Sequence, residues 1–202
     1  MKALEKIIIA LSLPLMLLNV FGGIVSGIWL AILGEWGIIG YGVGILFFGS
    51  FALGLAMMPG LLLAAPIMAM GENGNKVAIY FFSFLSALYT MGILSAWCLG
   101  LMYFFVMQSD SSSFIPIFIW SYGMATGTIA YMAQKEAQGG DGGSSMVATF
   151  FAQLAYVISA LITIFFTVAF IEIIILFGVI MFIGLIFQFW TALSIDNNRT
   201  YG

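Results

Sequence analysis

Glu172 interrupts the longest apolar stretch of the chain, Met146 to Ile195, and is its one charged residue. An ionisable group inside an apolar run marks a proton or cation site by default. The competing reading is a turn: a carboxylate sits at no cost where the chain reaches water. Asn19 is the second candidate. It lies mid-run between Pro14 and Gly22-Gly23, and Pro and Gly free backbone groups inside membrane helices. Its plainer role is a helix–helix hydrogen bond, worth about 0.6–2 kcal/mol. Gln153 and Gln188 are the two amides of the last stretch. Ala148, Ala152, Ala155, Ser159, Thr163 and Thr167 recur at steps of three and four, which puts small and hydroxyl side chains on one helical stripe. Pro59-Gly60 and Pro66 break another run and read as a hinge or a fixed kink.

Other chemistry is excluded by what is missing. The chain has no His, so imidazole metal sites, Ser-His pairs and His relays are out. The one cysteine, Cys98, cannot form an intrachain disulfide. No Lys lies within an apolar run to activate a hydroxyl, so no catalysis, resident metal or cofactor is expected. The segment Gly139-Gly140-Asp141-Gly142-Gly143-Ser144-Ser145 lacks the spacing and preceding strand of a phosphate loop, and Gln134 to Ser145 reads as a flexible linker.

The elements that must carry these residues follow from composition. Hydrophobic residues make up 63% of the 202 and charged residues 6%. A soluble domain has about 25% charged residues, so five basic and eight acidic side chains cannot cover a soluble surface of this size. A dispersed net charge of −3 does not suit nucleic acid either. The fold class expected is an all-α integral membrane protein, one domain over residues 1–202. Apolar runs place spans at about 7–33, 40–70, 77–107, 114–133, 146–170 and 173–195. The last two share a stretch of 50 residues, which as one helix would be about 75 Å long, against about 30 Å of hydrocarbon. A turn near Phe170 to Glu172 resolves this. Gln153 and Gln188 are equidistant from that turn, so they are expected to share a depth near the cytoplasmic ends.

Six spans with both termini cytoplasmic put all five basic residues, Lys2, Lys6, Lys76, Lys135 and Arg199, inside. The outer connections then hold only acids: Glu35, Asp110 and Glu172. The first span is read as retained, since no small-residue cleavage site ends it. Trp29, Trp36, Tyr41, Tyr103 and Trp120 fall near outer span ends, and Tyr80, Tyr131, Trp190 and Tyr201 near inner ends, as an interfacial belt. Trp97 falls deep and is expected in a helix contact. Small residues four apart recur, as in Gly23/Gly27, Gly40/Gly44, Gly92/Ala96/Gly100 and Gly123/Gly127, the pattern that lets membrane helices approach closely.

Two functions fit. The first is a multi-pass channel or carrier for a small solute, oligomeric and not strongly ion-coupled, in a bacterial inner membrane. Its pathway residues would be Asn19, Ser159, Thr163, Thr167, Glu172, Gln153 and Gln188, with the hinge at Pro59, Gly60 and Pro66. The alternative is a non-catalytic accessory subunit packed through its small-residue faces against a partner in a larger membrane complex. Lipid is the expected surrounding in both.

Overall fold

A computed structural model of the chain describes residues 2–70, 75–106, 114–138, 142–165 and 170–200. Among them are six helices and no strand: α1 (Lys2–Leu33), α2 (Trp36–Met70), α3 (Lys76–Val106), α4 (Phe114–Gln138), α5 (Gly142–Phe165) and α6 (Phe170–Thr200). The apolar runs supply the helical residues, and local chemistry ends them. Gly34 closes α1 in a left-handed conformation, φ +82°. Its N–H donates to Ala31 O at 3.2 Å and the Glu35 N–H to Leu30 O at 2.9 Å. These two bonds make a Schellman cap, which satisfies the last carbonyls of the helix. α2 then starts at once, at Trp36 rather than Gly40. Asn75 caps α3: its Oδ1 accepts from Val77 N at 3.0 Å.

Three of the helices contain segments long and apolar enough to cross a bilayer: Trp36–Gly60, Lys76–Phe105 and Ile171–Trp190. Their outward faces carry large apolar side chains, with Phe47 and Phe48 each 75% exposed. A patch of that kind on a soluble monomer would drive association.

α4 and α5 form the centre. From Pro116 to Thr126 every residue is buried except the half-buried Ile119, and from Val147 to Tyr156 every residue is buried except the half-buried Leu154. α4 packs against α1, α2, α3 and α5, and α5 against α1, α3, α4 and α6. Consecutive α1 and α2 meet little, because α4 lies between them. The Trp120 indole fills that place.

Two sequence expectations change. The segment from Gln134 to Ser145 is not a long flexible linker: α4 runs to Gln138 and α5 begins at Gly142. Ala133-Gln134-Lys135-Glu136-Ala137-Gln138 is made of strong helix formers, and this propensity extends α4 past its apolar part. The final turn also shifts. α5 ends at Phe165 and α6 begins at Phe170, so the turn precedes Glu172, which lies exposed in the first turn of α6. A carboxylate there complements the positive end of the helix dipole.

Candidate polar site at the middle of the bundle

Asn19, Thr126 and Gln153 each fall near the midpoint of their helix, α1, α4 and α5. The first two are joined. Asn19 Nδ2 donates to Thr126 Oγ1, and Thr126 Oγ1 donates onward to Tyr122 O at 2.7 Å. Close approach makes this possible. A Cβ added to Gly123 would lie 3.5 Å from Gly23 Cα, and one on Gly127 would lie 3.7 Å from Asn19 Oδ1. Gly123 of α4 thus packs on the Gly23 backbone of α1 and Gly127 packs on Asn19, and the amide bond sits beside this contact.

Five residues earlier on α4 than Thr126, Ser121 Oγ donates to Phe118 O at 2.8 Å. Its single proton is thereby used, so in the Ser121–Tyr156 contact the tyrosine hydroxyl donates. Tyr156 is fully buried, between the rings of Phe118 at 5.7 Å and Tyr122 at 5.4 Å. Tyr122 in turn donates to Leu15 O at 3.3 Å. Hydroxyls and an amide thus bind α1, α4 and α5 together at one level.

Gln153 is different. It is 1% exposed, and neither Nε2 nor Oε1 has a hydrogen-bond partner. Gln188, on α6, is 5% exposed with Oε1 unpaired. The expected match between these two does not hold. An added Cβ on Gly184 would meet Phe151 Cβ at 2.7 Å, and Phe151 stacks on Phe187 at 5.5 Å. In this register Gln153 lies opposite about residue 182, six residues or about 9 Å from Gln188. At about 100° per residue, Gln153 also points about 160° away from Phe151, the residue that faces α6. The earlier turn moves the register, and Gln153 lies near the middle of α5, turned away from α6.

The other sequence candidates fall elsewhere. Ser159 is fully buried on α5. Thr163 lies in α5 with its side chain outside the described residues, and Thr167 lies outside them altogether. Pro59, Gly60 and Pro66 lie within α2, which continues to Met70. α3 braces this stretch: Tyr89 OH donates to Ala56 O at 2.8 Å, and Ser86 Oγ to Gly60 O at 3.3 Å. The Tyr89 ring covers Gly60, 3.0 Å from an added Cβ. Cys98 is fully buried. Trp97 lies against Gly49, with its Nε1 unpaired.

Trp120, expected in an interfacial belt, is enclosed by the bundle. It is 8% exposed, held between Gly27 of α1 and Gly42 of α2, and its Nε1 donates to Ile38 O at 3.2 Å. Two glycines without side chains open the slot, and one carbonyl satisfies the indole. Beside it runs a groove of about 580 Å³, walled by α1 and α2 and floored by Trp120, Gly123, Met124 and Gly127 of α4. It ends at Asn19, beside the polar layer.

Sequence reasoning missed Thr126, the Tyr156–Ser121 bond and the Trp120 slot. A signal existed for the first: Asn19 precedes Gly23 by four, and Thr126 adjoins Gly127, so both polar groups flank the glycine faces. Compared with protein families, curated proteins and solved structures, the chain matches none.

Proposed function

We propose that this chain is a multi-pass membrane protein of six spans, in a single domain with both termini cytoplasmic, that carries a small neutral solute. The solute passes through the interior between α1, α4 and α5. The supporting observation is the carboxamide of Gln153, which offers both donors and acceptors from the middle of the bundle with no protein partner. A buried polar group without a partner costs about 1–3 kcal/mol, and a site that takes a polar solute is one reason to keep it. Asn19 and Thr126 lie at the same level, so the layer is polar and uncharged. Such a layer suits a neutral solute with both donor and acceptor groups, and it disfavours strong ion coupling.

Ser159, Thr163, Thr167 and Gln188 extend the pathway along α5 and α6, and Glu172 stands at its outer end. The α2 stretch with Pro59, Gly60 and Pro66 is the hinge, held by Tyr89 and Ser86 in this state. The chain has no catalytic role in this reading, and its setting is a bacterial inner membrane. Purified protein in liposomes should admit small neutral polyols or amides faster than protein-free liposomes, with no matching rise for small ions. Equal leak of both classes would contradict the proposal.

The accessory reading draws on a separate observation. Gly92, Ala96 and Gly100 form an exposed small-residue stripe on α3, and added Cβ atoms on the two glycines meet nothing within 4 Å. A second copy or a partner helix packed there would give an oligomer or a larger complex, which size measurement in mild detergent would register.

A further inference from the structure

The groove between α1 and α2 has dimensions that select its occupant. Its α1 wall runs from Asn19 to Ala31. At 1.5 Å per residue that is about 18 Å, close to one leaflet, half of the roughly 30 Å hydrocarbon core. Dividing the 580 Å³ by this length gives a mean cross-section of about 30 Å². A single hydrocarbon chain is slender enough. The rim is apolar and open to the side: Val20, Ile24 and Ile28 are each more than half exposed. Gly123 and Gly127 deepen the floor because they carry no side chains, and the far end closes where Leu46 approaches Gly127.

Charge narrows the class of molecule. The lining holds no charged residue. Glu35 directly precedes the lining residue Trp36 in the chain, at the end of the groove where α1 meets α2, and no Lys or Arg occurs between Lys6 and Lys76. That end therefore repels an anionic headgroup and accepts one that carries an ammonium.

We propose that the groove between α1, α2 and α4 is a lipid site that holds one acyl chain of a zwitterionic, ammonium-bearing phospholipid, with its headgroup beside Glu35. The site rests on the membrane-spanning reading and is independent of solute transport. The chain lies along Gly23, Gly27 and the Trp120 indole and ends at Asn19. It completes the apolar surface that α1 and α2 leave open above α4.

Bromine on an acyl chain quenches a nearby tryptophan, and Trp120 reports on the groove. The full chain would be prepared in two forms, one keeping Trp120 alone and one keeping Trp29 alone, with Phe at the other tryptophans. Trp29 is exposed on α1 and reports membrane insertion. Both would be placed in vesicles of phosphatidylethanolamine and phosphatidylcholine, with chains brominated in their upper half. Trp29 is expected to be quenched, and Trp120 as well despite its burial. Gly23→Leu points a side chain into the groove, since an added Cβ there meets nothing within 4 Å. It should lower Trp120 quenching severalfold and leave Trp29 quenched. Gly44→Leu, outside the groove, should change neither, and size-exclusion profiles identify any variant that fails to fold. Replacing the brominated lipid with brominated phosphatidylglycerol should weaken Trp120 quenching.

Quenching of Trp29 with Trp120 untouched would overturn the lipid site. So would Trp120 quenching that survives Gly23→Leu, or equal quenching by the anionic lipid. An oligomer that Gly23→Leu dissociates, with Trp120 shielded, would put a second copy in the groove and overturn it too. Loss of quenching at both tryptophans would instead refute membrane insertion.

Discussion

Replacing Gln153 with Leu removes a buried amide and keeps nearly the same volume. In the structure Nε2 and Oε1 have no partners, and the residue is 1% exposed. An unsatisfied buried polar group costs about 1–3 kcal/mol, so the variant should be more stable, by about 2 kcal/mol. For a chain of this length, 1 kcal/mol moves Tm by about 2–4 °C. A rise of about 4–8 °C is therefore expected in a mild detergent, measured by thermal unfolding with the wild-type chain beside it. The opposite sign follows if Gln153 is a structural bond: losing one bond costs about 1 kcal/mol, and the orphaned partner adds more. A fall in Tm would refute the reasoning, because it would mean that the amide holds the fold together. A gain in stability with loss of solute uptake is the signature of a group kept for function at the expense of the fold.

Further substitutions probe the neighbouring contacts. Thr126→Val should destabilise by about 1–2 kcal/mol, because it strands Asn19 Nδ2. Asn19→Leu should cost only about 0.6 kcal/mol, since Thr126 keeps its bond to Tyr122 O; chemical unfolding gives the order. Gly42→Ala would put a Cβ 2.6 Å from Trp120 Cε2 and should cost about 1–3 kcal/mol with a shift in Trp120 emission. Gly44→Ala, with nothing within 4 Å, should gain up to about 1 kcal/mol from helix propensity. Tyr89→Phe should cost about 1 kcal/mol and speed amide exchange in α2 beyond Gly60, leaving the α1–α4 contact unchanged. A reporter fused after Gly202 should read as cytoplasmic, and an external reading would remove the six-span topology.

Much of the helical plan was legible because apolar run length and charge position state it directly. Gly34 with Glu35, and Asn75 before α3, mark helix ends in ordinary capping chemistry. What misled was register. No Gly or Pro marks the α5–α6 turn, so the sequence reading set it near Phe170 to Glu172, a few residues late. That displacement set Gln153 level with Gln188, whereas the observed register separates them by about 9 Å. Trp120 misled for another reason. Its position near a span end suggests an anchor, while its burial depends on Gly27 and Gly42, which lie on two other helices and far away in sequence. Asn19 was legible as a mid-helix polar group, and its partner Thr126 was not, since pairing across helices is set by packing.

The most direct test of the central reading is aqueous access to position 153. Cys98→Ala removes the one native thiol, which is fully buried. Gln153→Cys in that background then carries a single reporter at the middle of α5. In liposomes, with the α1–α4 contact intact, a small water-soluble thiol reagent should modify it, and a permeant neutral solute should slow the reaction. A folded protein whose position 153 never reacts, with or without solute, would contradict a solute path through the interior.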